Sequence, residues 1–451
     1  MAFFKTAKPV VFIGAAGEMC RVAVERFAAA SDAPLVLADI NLSVLESLAA
    51  SLPARALTKE LDLFDRAALN DVVQGAALVV LGAGPYMRTS EPVLSACLDA
   101  KVPYLDFDDD VQSTQAALGL QERARKAGVP CYIGCGASPG MSNVMVMDAV
   151  RELDNVGTID ICWLVGDERG GTGRAVLEHL MHIAAGPCLT WADGRPTVNE
   201  TWVETIYAPM LEGDGELLLH ETAHPEPVTL PRLFPQAHRI RCAGALAPAP
   251  FNGIARGLGQ AVRRNLLSMK EVVDFLFTLT NEEPSAFGWG NGFAELSATF
   301  KGGDITLNEL FQLIRHLSHS ISPWRFALYG IIETIWTGEC TTGEVLSFLV
   351  NLVQGKRVEN KGGLLVRAVG LRNGHPATVT KRTAKSGDKA FLSRTMGTLT
   401  GTATAAFMLL ALDDGLTRSG VYSPEDWAVP DKFYHALERL GTPSDELVVA
   451  V

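Results

Sequence analysis

The chain has 451 residues, 48% of them hydrophobic and 20% charged, a globular composition too long for one small core, so two or more lobes are expected. A formal charge of −12 argues against nucleic acid, whose phosphates need clustered lysine and arginine, but leaves room for small anions held by local arginines. Eight scattered cysteines without zinc-ribbon spacing, no signal-like amino terminus and no run of ~18 apolar residues suggest a cytoplasmic protein with reduced thiols and no membrane span.

From Pro9 to about Tyr132 short β-rich runs alternate with amphipathic stretches. The runs are VVFIG, PLVLAD, ALVVLGAG, VPYLDFD and VPCYIG, with helix-like segments between them. Such alternation predicts a doubly wound parallel sheet of Rossmann type, whose ligands bind beyond the carboxyl ends of the strands. Gly14 follows the first run directly and Gly17 falls where the next helix begins. Ala16 and Met19 stand where a G-x-G-x-x-G turn has its later glycines, so the stretch has the looser form G-x-x-G-x-M.

A glycine-cornered turn without ligand is the simpler interpretation of that stretch alone. Context favours a dinucleotide site formed by Gly14, Ala16, Gly17, Glu18 and Met19, because the second run ends in Asp39, where a carboxylate can accept bonds from the adenine ribose. Ile40 and Asn41 follow, with no arginine placed for a 2′-phosphate, which favours NAD while leaving NADP possible. Gly82, Ala83, Gly84 and Pro85 end the fourth unit in a backbone able to lie close to the nicotinamide half. Asp106 and Asp108 alternate with Leu105 and Phe107 and so share a strand face, whereas Asp109 and Asp110 look like a solvated loop.

Beyond Asn143 a helix leaves the first lobe, and VGTIDICWLVG opens a second sheet. DERGGTGRAVLEHLMHIAAGP is a glycine loop and helix whose Arg169 or Arg174 could meet an anionic substrate group. His179 and His182 lie three apart on that helix without the further ligands a metal needs, and His316 and His319 repeat the spacing, so no metal is expected. DGRP and RNGHP predict hairpins. Residues 265–355 predict helices serving the core and subunit contacts, and TGTATAAFMLLALDDG a buried helix closing the first lobe.

Several segments in this order resemble the saccharopine dehydrogenase-like reductases: the turn at 14–17, GPYMRTSEPVLSACLDAKVPYLDF at 84–107, GCGASPGMSNVMV at 134–146, HPEPVTLPRLFP at 224–235 and GVYSPEDWAVPDKFYHALERLG at 420–441. The resemblance implies a Rossmann lobe over 1–143, an inserted α+β lobe with a mixed sheet for substrate and dimerisation over 144–393, and carboxyl-terminal helices over 394–451 returning to the first lobe. It also implies nicotinamide-dependent hydride transfer at a C–N bond of an amine- or amino-acid-derived substrate. Members acting on lysine-derived adducts have an acidic residue where this chain has Ser138, which counts against a saccharopine-type substrate.

On this basis Asp106, Tyr86 and His179 are candidate proton donors or acceptors. Asp108, Ser138, Asn143, Arg169 and Arg174 are candidate substrate contacts, and a homodimer is expected. The alternatives are a dehydrogenase of the same fold acting on a C–O or C=C bond, and a dinucleotide-binding sensor without turnover.

Overall fold

A computed structural model describes residues 8–53, 56–168, 172–281 and 307–451, with side chains of the last stretch from 322 onward. The first lobe is built on β1 (Val10–Ile13), β2 (Leu35–Asp39), β3 (Ala56–Glu60), β4 (Leu78–Leu81), β5 (Tyr104–Asp106) and β6 (Pro130–Tyr132). A seventh strand, Gly420–Tyr422, comes from the far end of the chain. All pair in parallel in the order Gly420–Tyr422, β6, β5, β4, β1, β2, β3. The strand order reverses between β1 and β4, and the crevice at that switch point is where such sheets bind ligands. Every residue of β1 and β4 is buried, as expected for central strands covered on both faces.

The second lobe holds β7 (Asn155–Val165), β8 (Pro187–Ala192), β9 (Arg195–Glu200), β10 (Thr205–Ala208), β11 (Leu217–Glu221), β12 (Arg239–Leu246), β13 (Gly363–Arg372) and β14 (His375–Thr383). Its sheet runs β10, β11, β12, β7, β13, β14 and then Val448–Ala450, with the β8–β9 hairpin attached to β12. β7 and β12 are parallel and the remaining pairs antiparallel, so the sheet is mixed. The two expected hairpins turn at Asp193-Gly194 and Asn373-Gly374, where both residues of each pair have positive φ.

Two helical contacts, one in each lobe, complete the packing around the sheets. The helix Met396–Asp413 is apolar and long enough to cross a membrane, yet it is buried and packs along Glu18–Ala30, the helix after the first glycine turn. In the second lobe Pro250–Arg263 crosses Leu307–Trp336 so closely that a Cβ on Gly330 would lie 1.9 Å from the Gly253 carbonyl oxygen. Leu307–Trp336 is one helix that continues through Pro323.

Candidate active site

The dinucleotide turn lies at the carboxyl end of β1. Gly14 has φ +87°, and a Cβ there would stand 2.5 Å from the Ala83 amide nitrogen, so the loop after β4 can touch the turn only because a glycine is present. Gly17 caps the helix Glu18–Ala30 in extended conformation and offers no side-chain bond to its first-turn amides. An uncapped helix start at the switch point fits a diphosphate. Asp39 reaches back to this turn: its carboxylate accepts the Ala16 N–H at 3.1 Å and the Asn41 N–H at 3.0 Å. On the other side of the crevice, Thr89 Oγ1 donates to the Ala83 carbonyl at 2.6 Å and secures the Gly82–Pro85 loop.

β5 delivers the carboxylates. Asp106 is buried and accepts the Gly134 N–H at 2.7 Å and the Asp108 N–H at 3.2 Å, yet burial still pushes its pKa up to about 6. Asp108, also buried, accepts from Ser90 Oγ at 2.6 Å and from the Asp110 N–H at 2.8 Å. Burial and then the neighbouring Asp106 raise its pKa well above the usual carboxylate range. Tyr86 packs edge-on against Phe107 with ring centroids 5.9 Å apart, and burial followed by the Asp109, Asp108 and Asp106 charges raises its phenol.

Asp109 is not a free loop carboxylate. Its Oδ2 lies 3.2 Å from Nε2 of His179, on the second-lobe helix Arg174–Ala185. The same helix rests Ala175 against Gly84 and pairs Glu178 with Arg88 at 2.9 Å. The structure thus brings His179, Asp109, Tyr86, Asp106 and Asp108 together beside the Gly82–Pro85 loop. Asp110 caps the helix Val111–Gly119 instead, accepting the Gln112 and Ser113 N–H groups.

The expected substrate contacts divide. Ser138 Oγ donates to Glu226 Oε1 at 2.5 Å, and Asn143 Nδ2 donates to Glu425 Oε2 at 2.8 Å, so both side chains are engaged in the seam between lobes. Arg174 pairs with Asp274 and lies over the Phe277 ring, away from the carboxylates of β5. Arg169 and the side chains of His316 and His319 lie outside the described residues.

Glu226 is fully buried and gathers Ser138, Ser142 at 2.8 Å and Cys242 at 3.3 Å. His224 stands beside it with Nδ1 3.7 Å from Oε2, its ring 6.4 Å from that of His179. Burial lowers the His224 pKa. A second carboxylate without a sequence cue is Glu168, which accepts the Met396 N–H at the start of Met396–Asp413. Burial, and then the Glu18 charge, push its pKa up to about 7 against that bond. The glycines around Asp39 were legible as a local pattern, whereas Asp109, Glu226 and Glu168 acquire their environments from distant segments.

Residues 10–131 match the family model described as saccharopine dehydrogenase NADP binding domain. No curated protein is similar to the chain by sequence. Among solved structures, saccharopine dehydrogenase (L-Glu forming) from Saccharomyces cerevisiae shares 15% identity over 99% of this chain and 100% of its own, with a TM-score of 0.61. GenD2 from gentamicin A biosynthesis, solved with NAD, shares 13% identity over 100% of this chain and 98% of its own, but at a TM-score of 0.36 the likeness carries no argument. Residues 10–131 therefore resemble the saccharopine dehydrogenase NADP binding domains, a match that supports a nicotinamide dinucleotide as cofactor, and the chain as a whole is similar in fold to saccharopine dehydrogenase.

Proposed function

We propose that this saccharopine dehydrogenase-like oxidoreductase transfers a hydride at a C–N bond, reducing an imine or oxidising a secondary amine, and prefers NAD. The Asp109–His179 pair carries the proposal: each lobe contributes one partner, and the pair stands over buried carboxylates at the strand ends that adjoin the dinucleotide turn. A bound nicotinamide supplies or accepts the hydride. The rest falls to the protein. When the imine carbon gains hydride its nitrogen must gain a proton, and in the reverse direction it must lose one. The imidazole of His179, its ring fixed by Asp109, can give that proton in one direction and take it in the other. Asp106, with its pKa near 6, is a second proton carrier within the same crevice.

The cofactor preference rests on Asp39. A 2′-phosphate would face its carboxylate, with the exposed Ile40 and the helix-capping Asn41 following instead of a cation. The NADP in the family's description makes NADPH the necessary comparison.

The test is NADH and NADPH oxidation by the purified full chain with a panel of amine–carbonyl pairs, alongside alcohols and ketones. At least one amine–carbonyl pair should support turnover with NADH. His179→Gln should lower kcat on the order of 100-fold while leaving NADH affinity within a factor of two. Activity on alcohols or ketones alone would place the chemistry at a C–O bond, and cofactor binding without turnover under any pair would leave a sensor.

A further inference from the structure

Two pairs of carboxylate and imidazole meet at the seam between the lobes. Asp109 stands 3.2 Å from Nε2 of His179, and Glu226 stands 3.7 Å from Nδ1 of His224. The two imidazoles pack on each other with centroids 6.4 Å apart and planes at 87°, an edge-to-face arrangement. His224 has little freedom of its own. It is buried, and the Trp163 ring packs against it at 5.7 Å. Trp163 reaches that place because its neighbour on β12 is Gly244, where a Cβ would stand 1.9 Å from the indole. Pro225 follows His224, and a residue before proline has few backbone conformations open to it.

These contacts close a circuit between the lobes. Ser138 and Ser142 hold Glu226, Glu226 faces His224, His224 packs on His179, and His179 returns to Asp109. Charge suits this order. Among the described residues no lysine or arginine pairs with Glu226, and His224 is its one basic partner. A carboxylate on that side favours the proton on Nδ1. Burial lowers the His224 pKa, so its ring is neutral near neutral pH and does not oppose a proton on His179. Asp109 restrains His179 at one nitrogen only, and a histidine ring held at one point can still swing about its broad χ2 torsion. A second ring set across it blocks that swing.

Taking His179 as the proton carrier of the C–N reaction, we propose that His224 is its positioning residue: packed across the His179 ring, it keeps that imidazole turned to Asp109. Nitrogen-15 spectra of the full chain labelled at histidine, with His179 assigned by its loss in His179→Gln, test this without turnover. The unaltered protein should show His179 in a single tautomer and an Overhauser effect between the ring protons of His179 and His224. His224→Ala should keep NADH binding but turn His179 into a mixture of tautomers. His224→Phe, which retains a flat ring, should restore the single form. With an amine–carbonyl pair that turns over, kcat should fall about tenfold in His224→Ala and return to within roughly threefold in His224→Phe, while KM for NADH stays within about a factor of two. No Overhauser effect in the unaltered protein, an unchanged His179 spectrum in folded His224→Ala, or a His224→Phe as impaired as His224→Ala would overturn the proposal. Failure of every amine–carbonyl pair to turn over would instead overturn the C–N reading, and the nitrogen-15 spectra would still decide the role of His224.

Discussion

Asp39 binds its own turn before it binds anything else. Its two oxygens hold the Ala16 and Asn41 amides, so the carboxylate shapes the Gly14–Gly17 turn and keeps further lone pairs for the ribose of the proposed dinucleotide. Asp39→Ala should therefore lower NADH affinity by about tenfold or more, the scale of a lost charged hydrogen bond. Fluorescence titration measures it, and unchanged NADH affinity would show that the ribose is held elsewhere. Gly14, Gly17 and Asp39 could be located from sequence because strand, turn, helix and strand follow one another in a single local unit. Asp109 was misleading for the opposite reason. Asp109 and Asp110 look alike on paper, a solvated loop beyond the strand-face Asp108, but Asp109 meets His179 and Asp110 caps a helix.

The segment 224–235 explains at the level of elements why three separated motifs occur together. It forms a short helix, Glu226–Thr229, that follows Pro225. Glu226 takes the hydroxyls of Ser138 and Ser142, while Arg232 pairs with Asp426 at 2.7 Å and approaches Glu425 at 3.7 Å. Glu425 in turn receives Asn143, so two glutamates meet the first turn of the helix Met141–Val150, the end of a helix that favours negative charge. Glu226→Ala strands the buried Ser142 hydroxyl and Cys242 thiol together with the half-buried Ser138 hydroxyl and should cost roughly 3 kcal/mol of stability, with Glu226→Gln recovering much of it. Thermal unfolding of both variants is the measurement, and equal midpoints for Ala and wild type would show that the clamp is not structural. Some elements could not be recognised in this way. β3 is a half-buried edge strand with the sequence ALTKE, too polar to stand out. Gly420–Tyr422 is three residues long and becomes a strand only by pairing with β6.

Over the whole molecule, buried carboxylates set a pH dependence. Asp106 titrates at about 6 and Glu168 at about 7 in the folded chain, both above their ordinary values because burial disfavours the charged form. A raised carboxyl pKa means that the folded state binds the proton more tightly. The contribution to stability is therefore complete below about pH 4 and is lost as pH rises through 6 and 7. Chemical denaturation at pH 5 and pH 8 should show that decline, and Asp106→Asn with Glu168→Gln should flatten it. An unaltered slope in the double variant would assign the dependence to other groups.

The two sheets, the dinucleotide turn and the hairpins at Asp193-Gly194 and Asn373-Gly374 were determined by the sequence itself, because hydrophobic periodicity and glycine conformations act over a few residues. The Asp109–His179 pair and the glutamate clamp were decided only by the tertiary structure. Each joins side chains from segments far apart in the chain, and burial, which alters their chemistry, exists only once those segments have packed.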